Sequence, residues 1–255
     1  MRHVNYDALA PTYNQRFEKD KDRPETARAL LELADSLNAQ RILEVGCGTG
    51  RWLAEMRTLT EHSYGLDPSR GMLAQARRRN TQLRFTRGRG EYLPFRDGTF
   101  DLVYCVNAIH HMDGQQMFIQ EARRVLRAGG ALVVIGMDPH GQRDTWYVYD
   151  YFAGVYEADL ARFPSWETVL DWMRAAGFQH VERRPVERII DNKTSATVLG
   201  DPFLQKNASS QLALLSDAEY AAGVQRIKAA IAEAEAAGKT LIFPTGLIMD
   251  MVWGY

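Results

Sequence analysis

The sequence reads Arg41-Ile42-Leu43-Glu44-Val45-Gly46-Cys47-Gly48-Thr49-Gly50 and continues with a run that contains Trp52, Leu53 and Met56. The β-prone residues before the glycines predict a strand, and the spacing of the apolar residues after them predicts a helix. Three glycines at alternate positions let the backbone pass close beneath a ligand, because they carry no Cβ and can adopt positive φ angles. The segment therefore indicates a ligand-binding loop between a strand and a helix.

An acidic residue follows at the end of the next predicted strand. Residues 62–66 predict that strand, which ends at Asp67, and Pro68-Ser69 opens a helix with Ser69 as its N-cap. Asp67 lies on the order of 20 residues after the glycines, where an acidic side chain can accept the hydroxyl groups of a ribose. The loop and the acid together predict a nucleoside site at the carboxyl ends of parallel strands.

The spacing of the glycines distinguishes between kinds of nucleoside. Loops that bind dinucleotides typically follow G-x-G-x-x-G, whereas here Gly50 comes one position early and Arg51 stands where that pattern has glycine. Glu44 precedes the loop, and its carboxylate can orient loop amides or bind a cationic amino group. The arrangement favours a ligand that carries an amino acid over a diphosphate. An NAD(P)-dependent oxidoreductase is the alternative.

The rest of the chain predicts an α/β fold. From residue 40 to 136, β-prone runs alternate with helical runs, which is typical of a parallel sheet. One helix is expected to end at Gly129-Gly130, where a left-handed C-cap would stand. Further strands are predicted at 83–85, 100–106, 131–135, 178–184 and, less regularly, within 241–253.

Two later segments break this alternation. Residues 146–163 are dense in aromatic side chains and have no strand period, which indicates a cap with an apolar inner face. Ser216 and Glu219 have the spacing of a capping box at the start of a helix that ends at Gly238. Residues 191–215 give no clear pattern.

Several motifs, in order along the chain, resemble those of the class I S-adenosylmethionine-dependent methyltransferases. The resemblance is to the small-molecule branch, the methyltransferases of type 11, which includes the ubiquinone and menaquinone C-methyltransferases. The motifs are Leu43 to Gly50, Gly65-Leu66-Asp67-Pro68-Ser69, Glu91-Tyr92-Leu93-Pro94-Phe95, Phe100-Asp101-Leu102-Val103, Asn107-Ala108-Ile109-His110-His111 and Leu126-Arg127-Ala128-Gly129-Gly130.

The resemblance implies a seven-stranded Rossmann-like sheet whose last strand is antiparallel, with S-adenosylmethionine (SAM) across its carboxyl edge and S-adenosylhomocysteine (SAH) as product. We expect a single domain over residues 1–255. Its core comprises 38–137, 166–190 and 239–255, and helical and aromatic cap elements comprise 1–30, 138–165 and 191–238.

The resemblance also implies a set of cofactor contacts. Glu44 would lie near the methionine end and Asp67 on the ribose, with Pro68 or Leu66 beside the adenine. Asn107 is a candidate for the methionine part. Tyr13 is similar to a family tyrosine that binds the cofactor carboxylate, and Arg16 or Arg23 is a candidate for further charge. The residues expected beneath the cofactor are Gly46, Cys47 and Gly48.

The adenine segment departs from the family pattern. Family members commonly have Asp-Ala-Glu there, whereas this chain has Arg89-Gly90-Glu91. An arginine has only donors and cannot accept a hydrogen bond from the adenine amino group. Gly90 and Glu91 are therefore the residues expected at the adenine, with the backbone amide of Gly90 as the polar contact.

Methyl transfer from a sulfonium is an in-line displacement, so the enzyme must mainly align the reactants and exclude water. If the acceptor must lose a proton, histidine is the natural base near neutral pH. His110 and His111 follow the fourth predicted strand and are the predicted catalytic residues. On an extended chain, adjacent side chains would point in opposite directions.

Composition excludes several classes of function. With 31 Lys+Arg against 32 Asp+Glu, the 255-residue chain has a net charge of −1, which argues against nucleic acid as the main partner. Residues 107–110 also lack the Asn/Asp-Pro-Pro-Tyr motif of enzymes that methylate base amines. The expected partner is a small, partly apolar methyl acceptor.

The chain shows no apolar run long enough to span a membrane, and its start shows no signal peptide, so we expect a cytoplasmic protein. Two cysteines support neither a disulfide framework nor a zinc site, and no metal is expected. A non-catalytic SAM-binding regulatory module, or SAM-dependent chemistry such as cyclisation, are further alternatives.

Overall fold

A mostly parallel β-sheet forms the centre of the computed structural model, which describes residues 3–14 and 24–255. Its strands lie in the order β3-β2-β1-β4-β5-β10, and β7 and the short β6 also pair with β10. The strands are β1 (Ile42–Val45), β2 (Ser63–Asp67), β3 (Arg84–Arg87), β4 (Phe100–Val106), β5 (Leu126–Gly136), β6 (Thr145–Trp146), β7 (Glu182–Ile190) and β10 (Thr245–Gly254). A separate two-stranded sheet pairs β8 (Lys193–Thr194) with β9 (Ile242–Phe243).

Helices cover both faces of the sheet and build the cap. They are α1 (Tyr6–Leu9), α2 (Pro24–Ser36), α3 (Arg51–Met56), α4 (Arg70–Arg79), α5 (Gln115–Val125), α6 (Tyr147–Tyr151), α7 (Val155–Arg162), α8 (Trp166–Ala175), α9 (Ser210–Ala213) and α10 (Asp217–Ala236). Short 3₁₀ helices occur at Ile109–His111, Pro139–Gly141, Ser195–Gly200 and Pro202–Leu204. Ser69 caps α4 and Ser216 forms a capping box on α10, so both predicted helix starts are confirmed.

The predicted α/β fold with an antiparallel last strand is confirmed. Strands β1, β2, β3, β4 and β5 are mutually parallel, whereas β10 runs antiparallel to both β5 and β7. The sheet has the expected seven main strands, and the two residues of β6 add an eighth.

The core lies on both faces of the sheet because successive side chains of a strand alternate between them. Leu43 and Val103 pack on one face with α5 and α8. Ile42 and Leu102 pack on the other face with α2 and α3. Strands β1 and β4 are therefore buried along their whole length, as expected for the centre of a parallel sheet.

Two predicted boundaries are wrong. Helix α5 ends at Val125 rather than at Gly129-Gly130, and β5 begins at Leu126. Gly129 does have a positive φ of 74°. It lies at an irregularity in the pairing of β4 with β5 and not at a helix cap. The sixth main strand also begins at Glu182 rather than at residue 178.

The predicted cap segments share an apolar cluster. Trp146, Phe152 and Val155 pack there with Leu212 and Ile227 of the later segment. The residue types of 146–163 therefore produce short helices that pack against α9 and α10. The proposed division into core and cap ranges remains a prediction. In the part of the chain that the structure describes, no helix is sufficiently long and apolar to cross a membrane.

Candidate cofactor and acceptor site

The glycine loop adopts the backbone conformations that its sequence predicts. Gly46, Gly48 and Gly50 have φ angles of 73°, 52° and 74°. A Cβ on Gly46 would lie 2.5 Å from the Cβ of Ala108, whereas a Cβ on Gly48 would meet no atom within 4 Å. Close packing against the end of β4 therefore requires Gly46, and Gly48 leaves open space above the loop.

The predicted site residues that the structure describes line one cavity of about 300 Å³. The cavity lies at the carboxyl ends of β1, β2 and β4, where parallel α/β sheets commonly bind their ligands. Its lining includes Tyr13, Glu44, Gly46, Cys47, Gly48, Asp67, Pro68, Gly90, Glu91, Asn107, His110 and His111. Their individual contacts with a cofactor remain predictions.

Asp67 binds the glycine loop as well as facing the cavity. Its carboxylate accepts hydrogen bonds from the amides of Gly48 and Ser69, each at 2.8 Å. Burial raises its pKa, and these two amides oppose the shift. A carboxylate has about four lone-pair sites, so Asp67 retains capacity to accept ribose hydroxyls. The sequence indicated the ribose role but not the bonds to the loop.

Glu44 is a buried carboxyl group at the start of the loop. Its Oε2 accepts a hydrogen bond of 3.2 Å from the Tyr104 hydroxyl, and its pKa is raised well above the usual range because burial disfavours the charged form. An ammonium group in the cavity would favour the ionised form. The environment of Glu44 is therefore compatible with the amino group of a bound amino acid.

The unusual arginine of the segment 89–91 lies at the rim of the cavity. Arg89 has a side chain that is 62% exposed, and its Nη1 lies 3.2 Å from Asp113 Oδ2. Glu91 is buried and accepts a hydrogen bond of 3.1 Å from the amide of Gly114. Glu91 therefore fixes the wall of the cavity, while Arg89 forms an ion pair at its rim.

The N-terminal segment packs over the loop through bonds that the sequence analysis did not predict. Asp7 Oδ1 accepts hydrogen bonds of 2.7 Å from the Ser69 hydroxyl and the Gly71 amide. Thr49 Oγ1 donates to Asn14 Oδ1 at 2.9 Å. These contacts hold α1 beside the cavity. Arg16 and Arg23 lie outside the described residues.

The two predicted catalytic histidines have different environments. The Tyr6 hydroxyl lies 2.6 Å from His111 Nε2. His110 is buried and stacks on Phe163, with ring centroids 3.9 Å apart, and burial lowers its pKa well below the usual range. His111 and Arg162 add to that lowering.

Both histidine rings line the cavity because Ile109–His111 forms a 3₁₀ turn. The expectation of opposite directions assumed an extended chain and is wrong here. The ring centroids of His110 and His111 are 4.0 Å apart, so the turn brings the two rings together.

The far side of the cavity is largely apolar. Side chains from the cap and from the sheet edge form it, and they are Met137, Trp146, Phe163, Ile189, Phe203, Leu247 and Met249. Ser209, Ser210 and Gln211 add polar groups to this wall. Within residues 3–14 and 24–255, no group of His, Cys, Asp and Glu side chains is arranged to hold a metal ion.

Residues 43–134 match the model of a family described as a methyltransferase domain. The chain thus contains a segment that matches a methyltransferase domain, which confirms the predicted family resemblance.

Individual relatives lie in the same class. The chain is 34% identical over 169 residues to phthiotriol/phenolphthiotriol dimycocerosates methyltransferase 1 of Mycobacterium ulcerans, covering 65% of this chain and 56% of that protein. It is 29% identical over 183 residues to demethylmenaquinone methyltransferase of Clavibacter sepedonicus, covering 64% of this chain and 73% of that protein. The chain spans about half the length of the first of these relatives.

The fold also resembles that of solved structures. A protein from Anabaena variabilis, described as a methyltransferase from an antibiotic biosynthesis pathway, superposes with a TM-score of 0.70 at 21% identity. The match covers 90% of this chain and 96% of that one. At this level of identity the likeness supports the fold alone.

Proposed function

We propose that this protein transfers a methyl group from SAM to a small, partly apolar acceptor. The observation that carries the proposal is one continuous cavity with two chemically different sides. The glycine loop, Glu44 and Asp67 line one side, whereas apolar cap residues line the other, and His111 borders the same space. The names of the relatives, which refer to phthiotriol dimycocerosates and to demethylmenaquinone, support an apolar acceptor.

The residues on the loop side suit SAM. Open space above Gly48 leaves room for the cofactor, and two buried carboxyl groups can serve its ribose and its amino group. In this proposal Asp67 binds the ribose, Glu44 the amino group and Tyr13 the carboxylate. Pro68, Gly90 and Glu91 border the adenine, Asn107 borders the methionine part, and Gly46, Cys47 and Gly48 lie beneath. When bound, SAM supplies an electrophilic methyl group on its sulfonium.

His111 is the proposed proton acceptor. The Tyr6 hydroxyl is bonded to His111 Nε2, so an acceptor proton can pass through this hydroxyl to that nitrogen. Burial, with His111 and Arg162 nearby, lowers the pKa of His110 and favours its neutral form. The ring of His110 packs beside His111. We assign His110 to positioning and His111 to proton transfer. The apolar wall excludes water from the reacting groups.

Calorimetric titration with SAM, SAH and NADH tests the cofactor assignment. We expect micromolar binding of SAM and SAH and no binding of NADH. Binding of NADH alone would support the oxidoreductase alternative. Binding of SAM without methyl transfer to any acceptor in a broad panel would support the regulatory module.

A further inference from the structure

A buried ion pair lies behind the apolar wall of the cavity. Arg162 Nη2 donates to Asp159 Oδ1 at 2.5 Å, and both side chains, on α7, are almost completely inaccessible. Tyr149 and Gln211 each donate to Asp159 Oδ2 at 2.9 Å. Arg162 also donates to the hydroxyl of Ser210 at 3.3 Å. The pair thus connects α7 to two residues of α9 that line the cavity.

A gain in folding stability alone does not account for this buried ion pair. Buried ion pairs seldom stabilise a fold more than apolar side chains of similar size would. The Nε of Arg162 is buried and has no hydrogen-bond partner among the described residues, which adds a desolvation cost. The cost indicates a role in the site that the pair supports.

The ion pair determines how the neighbouring polar groups are oriented. A carboxylate only accepts, so the amide nitrogen of Gln211 must point towards Asp159. A guanidinium only donates, so the Ser210 oxygen accepts from Arg162, and its own proton goes to Gln211 Oε1 at 3.1 Å. Each oxygen has a second lone pair and the amide has a second N–H. Beyond these bonds, Ser210 and Gln211 therefore retain the capacity for two accepted hydrogen bonds and one donated hydrogen bond.

We propose that Ser210 and Gln211 form a subsite for an uncharged hydroxyl group of the methyl acceptor, with Asp159 and Arg162 as positioning residues. This inference rests on the proposed function. A hydroxyl can donate to one of the two oxygens and accept from the amide. A carboxylate has no proton to donate and would face these lone pairs. A methyl ether has no donor either. The apolar surroundings, including Trp146 and Phe163, suit the carbon skeleton of such an acceptor.

Binding of three naphthalenes tests this subsite without requiring methyl transfer. The probes are 2-naphthol, 2-methoxynaphthalene and 2-naphthoate, titrated at neutral pH with and without saturating SAH. We expect 2-naphthol to bind at least ten-fold more tightly than the other two. Gln211→Met or Ser210→Ala should reduce this preference to less than three-fold. Gln205→Met, at an exposed glutamine nearby, is the matched control and should keep it.

The positioning role of Asp159 and Arg162 is tested with a variant that leaves neither charge buried without its partner. The double substitution Asp159→Asn with Arg162→Met removes both charges together. We expect a folded protein in which the preference for 2-naphthol falls at least three-fold, because the amide of Gln211 is no longer held in one orientation.

The outcomes separate the subsite from the proposed function. Tighter binding of 2-naphthoate, a preference that survives in Gln211→Met and Ser210→Ala, or no naphthalene binding by protein that binds SAH would overturn the subsite. Loss of the preference in those two variants together with its retention in the double variant would overturn the positioning role. Selective binding of 2-naphthol by protein that does not bind SAM or SAH would overturn the proposed function and leave the subsite standing.

Discussion

At the residue scale, the carboxylate of Asp67 has two roles. It binds the amides of Gly48 and Ser69 and faces the cavity. We expect Asp67→Ala to weaken SAM binding by more than about 1.4 kcal/mol, a factor of ten, because charge-assisted hydrogen bonds are lost. Calorimetry measures this, with the exposed Asp171→Ala as control. Unchanged affinity would contradict the ribose assignment.

Gly46 and Gly48 both have positive φ angles but differ in surroundings. Alanine at either position should cost roughly 1–2 kcal/mol of backbone strain. Gly46→Ala adds a clash with Ala108 and should lower the melting temperature further, since overpacking typically costs about 1–3 kcal/mol. Gly48→Ala should instead mainly reduce SAH affinity. Thermal melts and titrations of both variants compare the two effects, and equal melting temperatures would argue against the packing role of Gly46.

His111 is expected to affect turnover more than cofactor binding. General acid–base groups typically contribute about 10²–10⁴-fold to rate, so His111→Ala should reduce methyl transfer by at least about 100-fold, measured with a phenolic acceptor that the parent protein methylates. SAM affinity should change little. His62→Ala, at an exposed histidine, should retain normal turnover. Normal turnover of His111→Ala would leave His111 with a structural role.

Glu44 should make stability depend on pH. Burial raises its pKa, so the protonated form contributes stability that is complete below the ordinary range of glutamate and is lost as pH rises through the raised pKa. Glu44→Gln removes this titration. The variant should gain melting temperature relative to the parent protein as pH rises, while its SAM affinity falls. If the melting temperatures of the variant and the parent protein change in parallel as pH rises, Glu44 does not titrate in this way.

At the element scale, helix α1 is held over the loop by the side-chain hydrogen bonds of Asp7 and by an apolar cluster in which Leu9 packs with Met72 of α4. Asp7 bonds the first turn of α4, and these bonds lower its pKa. Asp7→Ala should therefore release the N-terminal segment, increase its cleavage by protease and weaken SAH binding without a large change in melting temperature. Asp35→Ala on α2 is the control. Unchanged cleavage would show that other contacts hold α1.

The short elements also show the limit of local patterns. The glycines at 129–130 are typical of a helix C-cap, yet they lie in β5. Strand pairing with β4 rather than local propensity determines this boundary. The same competition moves the start of β7 to Glu182, because its register is determined by β10 at the other end of the sequence.

At the scale of the whole molecule, a ligand that binds only the folded chain must stabilise it. SAH at about 100 times its dissociation constant should add about 2.7 kcal/mol to the free energy of unfolding. For Asp67→Ala, a ten-fold weaker affinity should reduce this to about 1.4 kcal/mol at the same concentration. Thermal unfolding with SAH, and with NADH as control, measures both. Stabilisation by NADH alone would contradict the proposed class.

The sequence alone determined the alternation of strands and helices, the glycine loop and the acid after β2. These depend on short-range patterns of side-chain polarity and on backbone conformations available to glycine. The residues that it assigned to the cofactor and that the structure describes all line the cavity, whereas Thr49, Trp52 and Met72 line it without having been predicted.

Only the tertiary structure decided which distant side chains meet. Tyr6 contacts His111 across 105 positions, and Asp159 bonds Gln211 across 52. No local pattern encodes such contacts, because they depend on how α1 and the cap pack on the sheet. His111 was predicted from the sequence, but its contact with Tyr6 and the bonds of Gln211 became visible only in the folded chain for this reason.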